Sequence, residues 1–268
     1  MKRLTRILAL LLCLTMLCST AMASGYSNMI DSIFDSYQRS DDNAETVYQQ
    51  MVNGFYRSFE FSYVIALQLD GNDMNADFLN SILDSYERAD DNAETVYQQM
   101  VNGAYRTTET LLVIATLLDT SGRYTDVIQN IFNTYGRVDD NAETVYQQIA
   151  NGTFRSFELA YVIACSLDTS GAWKTRIQSV YDSFASGIDR ADNVYQQIVI
   201  GTYRTTEMLY IVANILDSNG QYSTYLDGVW DRYERSDDGA ETVYQQIVNG
   251  TYRTAELLYF IATYYSNR

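Results

Sequence analysis

The sequence predicts an all-α protein made of five tandem 49-residue helical repeats stacked as an α-solenoid-like array. Three observations predict it. Val-Tyr-Gln-Gln recurs from Val47, Val96, Val145, Val194 and Val243, at a constant interval of 49 residues with no insertion or deletion. Within each copy the apolar residues recur at helical spacing instead of alternating. The 268 residues include no proline and 14 glycines, several of which return with the repeat and suit helix ends. A fixed period of this size marks architectures in which each unit buries its apolar face on its neighbours.

The chain opens with Lys2, Arg3 and Arg6, continues as the apolar run Ile7 to Leu14, and reaches the small residues Ala21-Met22-Ala23. That is the order of a secretory signal peptide, with cleavage expected near Ala23. Even continued through Cys18, an apolar stretch of about 12 residues is short of the ~20 that span a bilayer, and no membrane span is expected. From Ser24 to Arg268 there are 245 residues, five times 49, which sets the units at 24–72, 73–121, 122–170, 171–219 and 220–268. The expected location is secreted, either periplasmic or extracellular.

Each unit divides into three apolar-periodic segments. In the first copy Ile30, Ile33, Phe34 and Tyr37 share one helical face, Val47, Tyr48, Met51 and Val52 a second, and a third runs from about Tyr56 to Leu69. Asn53-Gly54 reads as a C-terminal cap between the second and third, repeated at Gly103, Gly152, Gly201 and Gly250. Asp70-Gly71 ends the third, with Gly122, Gly171 and Gly220 in the later copies. Asp42-Asn43-Ala44-Glu45 reads as a capping box. A helix break is therefore expected near residues 39–42, giving three helices per unit in preference to two. The third segment is apolar nearly all round and keeps Ala66, Ala115, Ala164, Ala213 and Ala262 small, so it is expected to be the buried layer.

Composition excludes several functions. With no histidine there is no Ser-His-Asp or Cys-His machinery and no imidazole metal site. The formal charge of −16 argues against nucleic acid as a partner. Loss of Lys2, Arg3 and Arg6 with the leader leaves 15 basic against 34 acidic residues, a charge of −19. Cys165 would then be the remaining cysteine, in an apolar run that suits packing better than chemistry. No cofactor motif is present.

Three sets of repeated residues are candidate sites. Asp41, Asp42 and Glu45 recur as Asp90, Asp91 and Glu94, as Asp139, Asp140 and Glu143, and as Asp237, Asp238 and Glu241. Carboxylate oxygens suit Ca²⁺, but helix capping explains them as well, and the fourth copy keeps only Asp189 and Asp192. Arg57 with Glu60, repeated in every copy, reads as an inter-repeat ion-pair network. Tyrosine holds position 48 in all five copies, and position 37 in all but the fourth, where Phe184 stands. The aromatics Tyr26, Tyr124, Trp173 and Tyr222 recur in an otherwise drifting loop, with Asn75 in the second copy, and are the candidate interaction surface.

Asn151 and Asn249 match the glycosylation acceptor, although the recurrent Asn-Gly explains both without a sugar. Five near-equivalent carboxylates suit a hydrolase poorly, because its two acids need unlike environments. The reading is an exported, non-enzymatic interaction or surface scaffold, with a Ca²⁺-binding acidic repeat protein and a carboxylate hydrolase as alternatives. The apolar run Leu257 to Tyr265 has no polar capping unit after it, so a protein partner or a second copy is expected to cover that flank.

Overall fold

Two helices, not three, make up each 49-residue unit. The computed structural model describes residues 22–43, 46–92, 95–141, 144–239 and 242–267. They form ten helices: α1 (Met22–Asn43), α2 (Val47–Leu69), α3 (Ala76–Asn92), α4 (Val96–Leu118), α5 (Thr125–Asn141), α6 (Val145–Leu167), α7 (Lys174–Arg190), α8 (Val194–Leu216), α9 (Ser223–Gly239) and α10 (Val243–Ser266). No strand occurs among the described residues. The leader expected over residues 1–23 lies, up to residue 21, outside them.

The expected second and third segments are one continuous helix. Its start is fixed by a capping box one turn later than predicted: the Gln49 amide donates to Thr46 Oγ1 at 3.3 Å, and the Thr46 amide donates to Gln49 Oε1 at 3.0 Å. The same box opens α4, α6 and α10, while Asn193 replaces the threonine at α8 and accepts from the Gln196 amide. Asn53-Gly54 ends nothing; the helix runs through it. The sequence cue was misleading because a buried glycine at a helix crossing and a capping glycine look alike when only spacing is known.

That glycine permits the close approach of neighbouring even-numbered helices. A Cβ on Gly103 would lie 2.8 Å from Phe55 Cβ and 3.1 Å from the Phe55 carbonyl carbon, and one on Gly152 would lie 2.9 Å from Ala104 Cβ. Such contacts are well inside the carbon–carbon optimum of about 3.5–4.0 Å. Hydroxyls bridge the same crossings: Thr108 donates to the Gly152 carbonyl and Thr206 to the Gly250 carbonyl, both at 2.9 Å.

The even helices close into a ring. α2 packs on α4, α4 on α6, α6 on α8, α8 on α10, and α10 on α2. Closure is sealed by Gln68, which donates to the Ala262 carbonyl at 3.2 Å, and by Phe34 stacked on Tyr259 at 4.4 Å. The flank of the last repeat, expected to need a partner or a second copy, is thus covered by the first repeat. The premise for self-association through it falls. The odd helices form an outer layer, each lodged against its own inner helix and the preceding one, with α1 against α2 and α10. No two outer helices touch among the described residues.

Tyr48, Met51, Phe55, Ser58, Ser62, Ile65 and Leu69 alternate spacings of three and four, the heptad pattern that keeps one seam facing its partners. Residues from this series in all five inner helices meet on the ring axis. Apolar burial along this seam, including Phe59, Phe61, Phe157 and Met208 in its flanks, forms one continuous core.

Candidate functional site

The axis is the first place to look, and it is filled. At the N-terminal ends of the inner helices, Tyr48, Tyr97, Tyr146, Tyr195 and Tyr244 form a closed pentagon, with successive ring centroids 5.6, 5.1, 4.9, 5.6 and 5.3 Å apart. Their hydroxyls converge, and contact with the Tyr97 and Tyr195 hydroxyls pushes the Tyr146 phenol well above its usual range. Below the tyrosines lies a cavity of about 10 Å³ between Met and Ile side chains, then a belt of Ser and Thr around about 30 Å³, then about 10 Å³ among Ile and Leu. A water needs roughly 10–15 Å³ measured in this way, so the axis has room for a few waters and nothing larger. The belt hydroxyls donate to their own helices, as Ser58 does to the Gly54 carbonyl and Thr107 to the Gly103 carbonyl, each at 2.8 Å.

The Arg-Glu pairs form a second ring, further out. Arg57–Glu60, Arg106–Glu109, Arg155–Glu158, Arg204–Glu207 and Arg253–Glu256 each pair within one inner helix. The arginine is therefore mid-helix and answers a glutamate of its own helix, so these ion pairs, contrary to expectation, do not themselves join the repeats. The link between repeats comes from tyrosine: Tyr86 donates to Glu60 at 3.3 Å, Tyr135 to Glu109 at 2.9 Å, Tyr233 to Glu207 at 2.7 Å, and Tyr37 to Glu256 at 3.3 Å across the closure. At the one remaining junction Phe184 has no hydroxyl to give. Burial there raises the Glu158 carboxyl above the usual carboxylate range, against the pull of Arg155.

The loop aromatics lie half-buried over the C-terminal ends of the inner helices. Tyr124, Trp173 and Tyr222 donate their amides to the carboxylates of Asp119, Asp168 and Asp217 at 2.8, 3.0 and 2.9 Å. Asn75 does the same to Asp70 at 2.7 Å. Tyr26 instead sits inside α1, and its hydroxyl reaches the Leu67 carbonyl at 3.4 Å. All four predicted aromatics pack against the core, so they form the shoulders of a surface instead of standing free. The side chains of Asp41, Asp42, Asp90, Asp91, Asp139, Asp140, Asp237 and Asp238 lie outside the described ones, as do the residues Glu45, Glu94, Glu143 and Glu241. Among the described residues no three His, Cys, Asp or Glu side chains cluster as a metal site, and no helix is long and apolar enough to cross a membrane.

Because outer helices do not touch, five grooves run between them, each floored by an inner helix. Every groove uses the same three positions with different chemistry. Tyr161 and Tyr181 line one, with ring centroids 4.8 Å apart, and Tyr259 and Phe34 another. Leu112 and Phe132 occupy the equivalent places between α3 and α5, where Phe132 is 44% exposed.

The groove between α7 and α9 departs most from the others. Tyr210 on its floor stacks on Trp230 at 4.5 Å, and the Arg176 guanidinium lies 5.5 Å from each of these rings and 5.9 Å from Trp173. Burial raises the Tyr210 phenol, with Asn214 pulling it down and Asp227 pushing it up, so both polar side chains reach this ring. Trp173 was visible in the sequence as a loop aromatic. Arg176, Tyr210 and Trp230 were not, because they fall at ordinary helical positions that only the packing of three elements brings together. No protein family, curated protein or solved structure matches the chain.

Proposed function

We propose that the protein is an exported, non-enzymatic scaffold that engages partners through the grooves around its circumference. The observation that carries this reading is the division of labour between the copies. The tyrosine pentagon, Tyr48 to Tyr244, is the same in all five copies, while on the outer helices one groove position runs Met29, Phe78, Val127, Arg176 and Tyr225 and another Phe34, Leu83, Phe132, Tyr181 and Trp230 on the same backbone frame. A position that varies inside a fixed frame costs the fold little and changes what the surface recognises. The leader pattern at residues 1–23 supports export, and the filled axis leaves the outer face and the two ends as contact surfaces.

A photo-reactive amino acid placed at Val127 or Phe132, groove positions that are 45% and 44% exposed, tests this against the same group at Gln49, beside the tyrosine pentagon. In the native extracellular fluid, a defined cross-linked partner from the groove positions and none from Gln49 is expected. Cross-linking from Gln49 alone, or from none of the three, overturns the reading. Sequencing the exported chain should give Ser24 as its first residue.

A further inference from the structure

Three arginines with described side chains, Arg123, Arg176 and Arg190, stand in no ion pair; Arg190 donates to Ser186 on its own helix and Arg123 lies over one ring, Tyr124, at 5.5 Å. Arg176 differs from both in lying among three rings. The five inner-helix arginines each answer a glutamate, and Arg232 reaches Glu256 at 3.3 Å, whereas no carboxylate among the described residues pairs with Arg176. Trp173, Tyr210 and Trp230 lie around it at 5.5–5.9 Å, within cation–π range of three rings at once. Arg176 itself is exposed.

The local charge also inverts here. α3 and α5 carry Asp77 and Asp126 in their first turns, but the first turn of α7 holds Lys174 and Arg176 and no acid. Trp173 gives that helix end no side-chain cap, so the positive end of the helix adds to the two cations. At a separation beyond about 8 Å the more distant negative charge is largely screened at physiological salt, which leaves Asp227, at the Tyr210 ring, as the acid facing these two cations.

We propose that this junction binds a carboxylated sugar, such as a uronic acid residue of an acidic glycan. A planar guanidinium held on aromatic faces offers a two-pronged match to a carboxylate. The indoles of Trp173 and Trp230 present apolar surface beside it for the C–H face of a sugar ring. Asp227, exposed beside the Tyr210 ring, offers an acceptor for hydroxyls, and the Asn214 amide, which already donates one N–H to the Tyr210 carbonyl at 2.7 Å, has its second N–H to offer. The Asp227 carboxylate sets the preference: it repels a compact dianion such as phosphate but accepts hydrogen bonds from a hydroxylated monoanion. This assignment does not rest on a protein partner at the other grooves, and either can fail alone.

The chain has two tryptophans, and both border the site, so intrinsic tryptophan emission reads it directly. Galacturonate oligosaccharide, its neutral galactose counterpart and an oligoglutamate peptide are titrated into the full-length protein, its Arg176→Gln and Arg176→Lys variants, and Arg190→Gln as a control on the same helix. The expected result is a saturable change with the uronate and none with the neutral sugar. Binding weakens about tenfold or more in both Arg176 variants, the lysine retaining charge without the fork, and is unchanged in Arg190→Gln. No saturable response to the uronate, an equal response to the neutral sugar, equal binding by the Arg176 variants with their helical signal intact, or tighter binding of the peptide than of the uronate would each overturn the proposal.

Discussion

Replacing Gly103 by alanine sets two well-known effects against each other. In an exposed helix the change stabilises by about 1 kcal/mol, because alanine loses less backbone entropy. At Gly103 the new methyl would sit 2.8 Å from Phe55 Cβ and 3.1 Å from the Phe55 carbonyl carbon, atoms that no rotamer change can move. α4 would have to shift off α2, and because the ring is closed it cannot do so without also changing its contact with α6. Overpacking of this kind costs about 1–3 kcal/mol. Gly228 on α9 supplies the control: its added Cβ would meet only the Arg232 guanidinium, at 3.7 Å. Gly103→Ala should therefore be less stable than Gly228→Ala by about 1–3 kcal/mol, since the propensity gain is common to both. In a chain of this size that is a separation of roughly 2–12 °C in melting midpoint, read by far-UV circular dichroism or urea titration. If Gly103→Ala matches or exceeds Gly228→Ala in stability, the close-crossing account of the repeated glycine is wrong.

Three further outcomes are expected. Asp73 holds φ +54°, where the three later copies place Gly122, Gly171 and Gly220 at φ near +70°, so Asp73→Gly should stabilise by about 1 kcal/mol and raise the melting midpoint. Phe184→Tyr should give Glu158 the hydroxyl that the other four glutamates have. The raised Glu158 carboxyl binds its proton more tightly folded than unfolded, so its contribution falls as pH rises through the folded value. The added donor lowers that value, and the gain, about 1 kcal/mol, should be larger at pH 7 than at pH 4 in urea titrations; equal gains at both would refute it. Burial pushes the Cys165 thiol up, opposed by the Tyr161 and Tyr124 hydroxyls, so its reaction with a thiol reagent should be about tenfold or more slower in the native chain than in urea.

Much of the fold was legible because helical periodicity and a constant interval survive any packing. The third segment and its small Ala66 position were read in one copy and repeated in four others, whereas the heptad seam from Tyr48 to Leu69 was hidden by the cap expected at Gly54, which cut it in two. Gly54 could not be read this way: a glycine flanked by asparagine signals a cap by spacing, and only the neighbouring Thr251 reveals a crossing. The ring closure escaped notice for a related reason. Whether a stack of repeats returns to its start depends on the small rotation between units, which no residue pattern states. The binding groove around Arg176 was legible only in part, since Trp173 broke the loop's drift while Tyr210 and Trp230 were indistinguishable from packing aromatics until three helices placed them around one cation.

The contact from Tyr37 to Glu256 joins residues 219 positions apart, and it repeats the geometry of Tyr86 with Glu60. Each unit therefore turns the chain through about a fifth of a circle, and five units use the whole circle. Open arrays gain or lose repeats with modest consequence, since each unit answers only to its neighbours. Here the copy number is a boundary condition. A sixth unit would have no gap to enter in this ring, and a fourfold chain would leave two inner flanks facing each other without meeting.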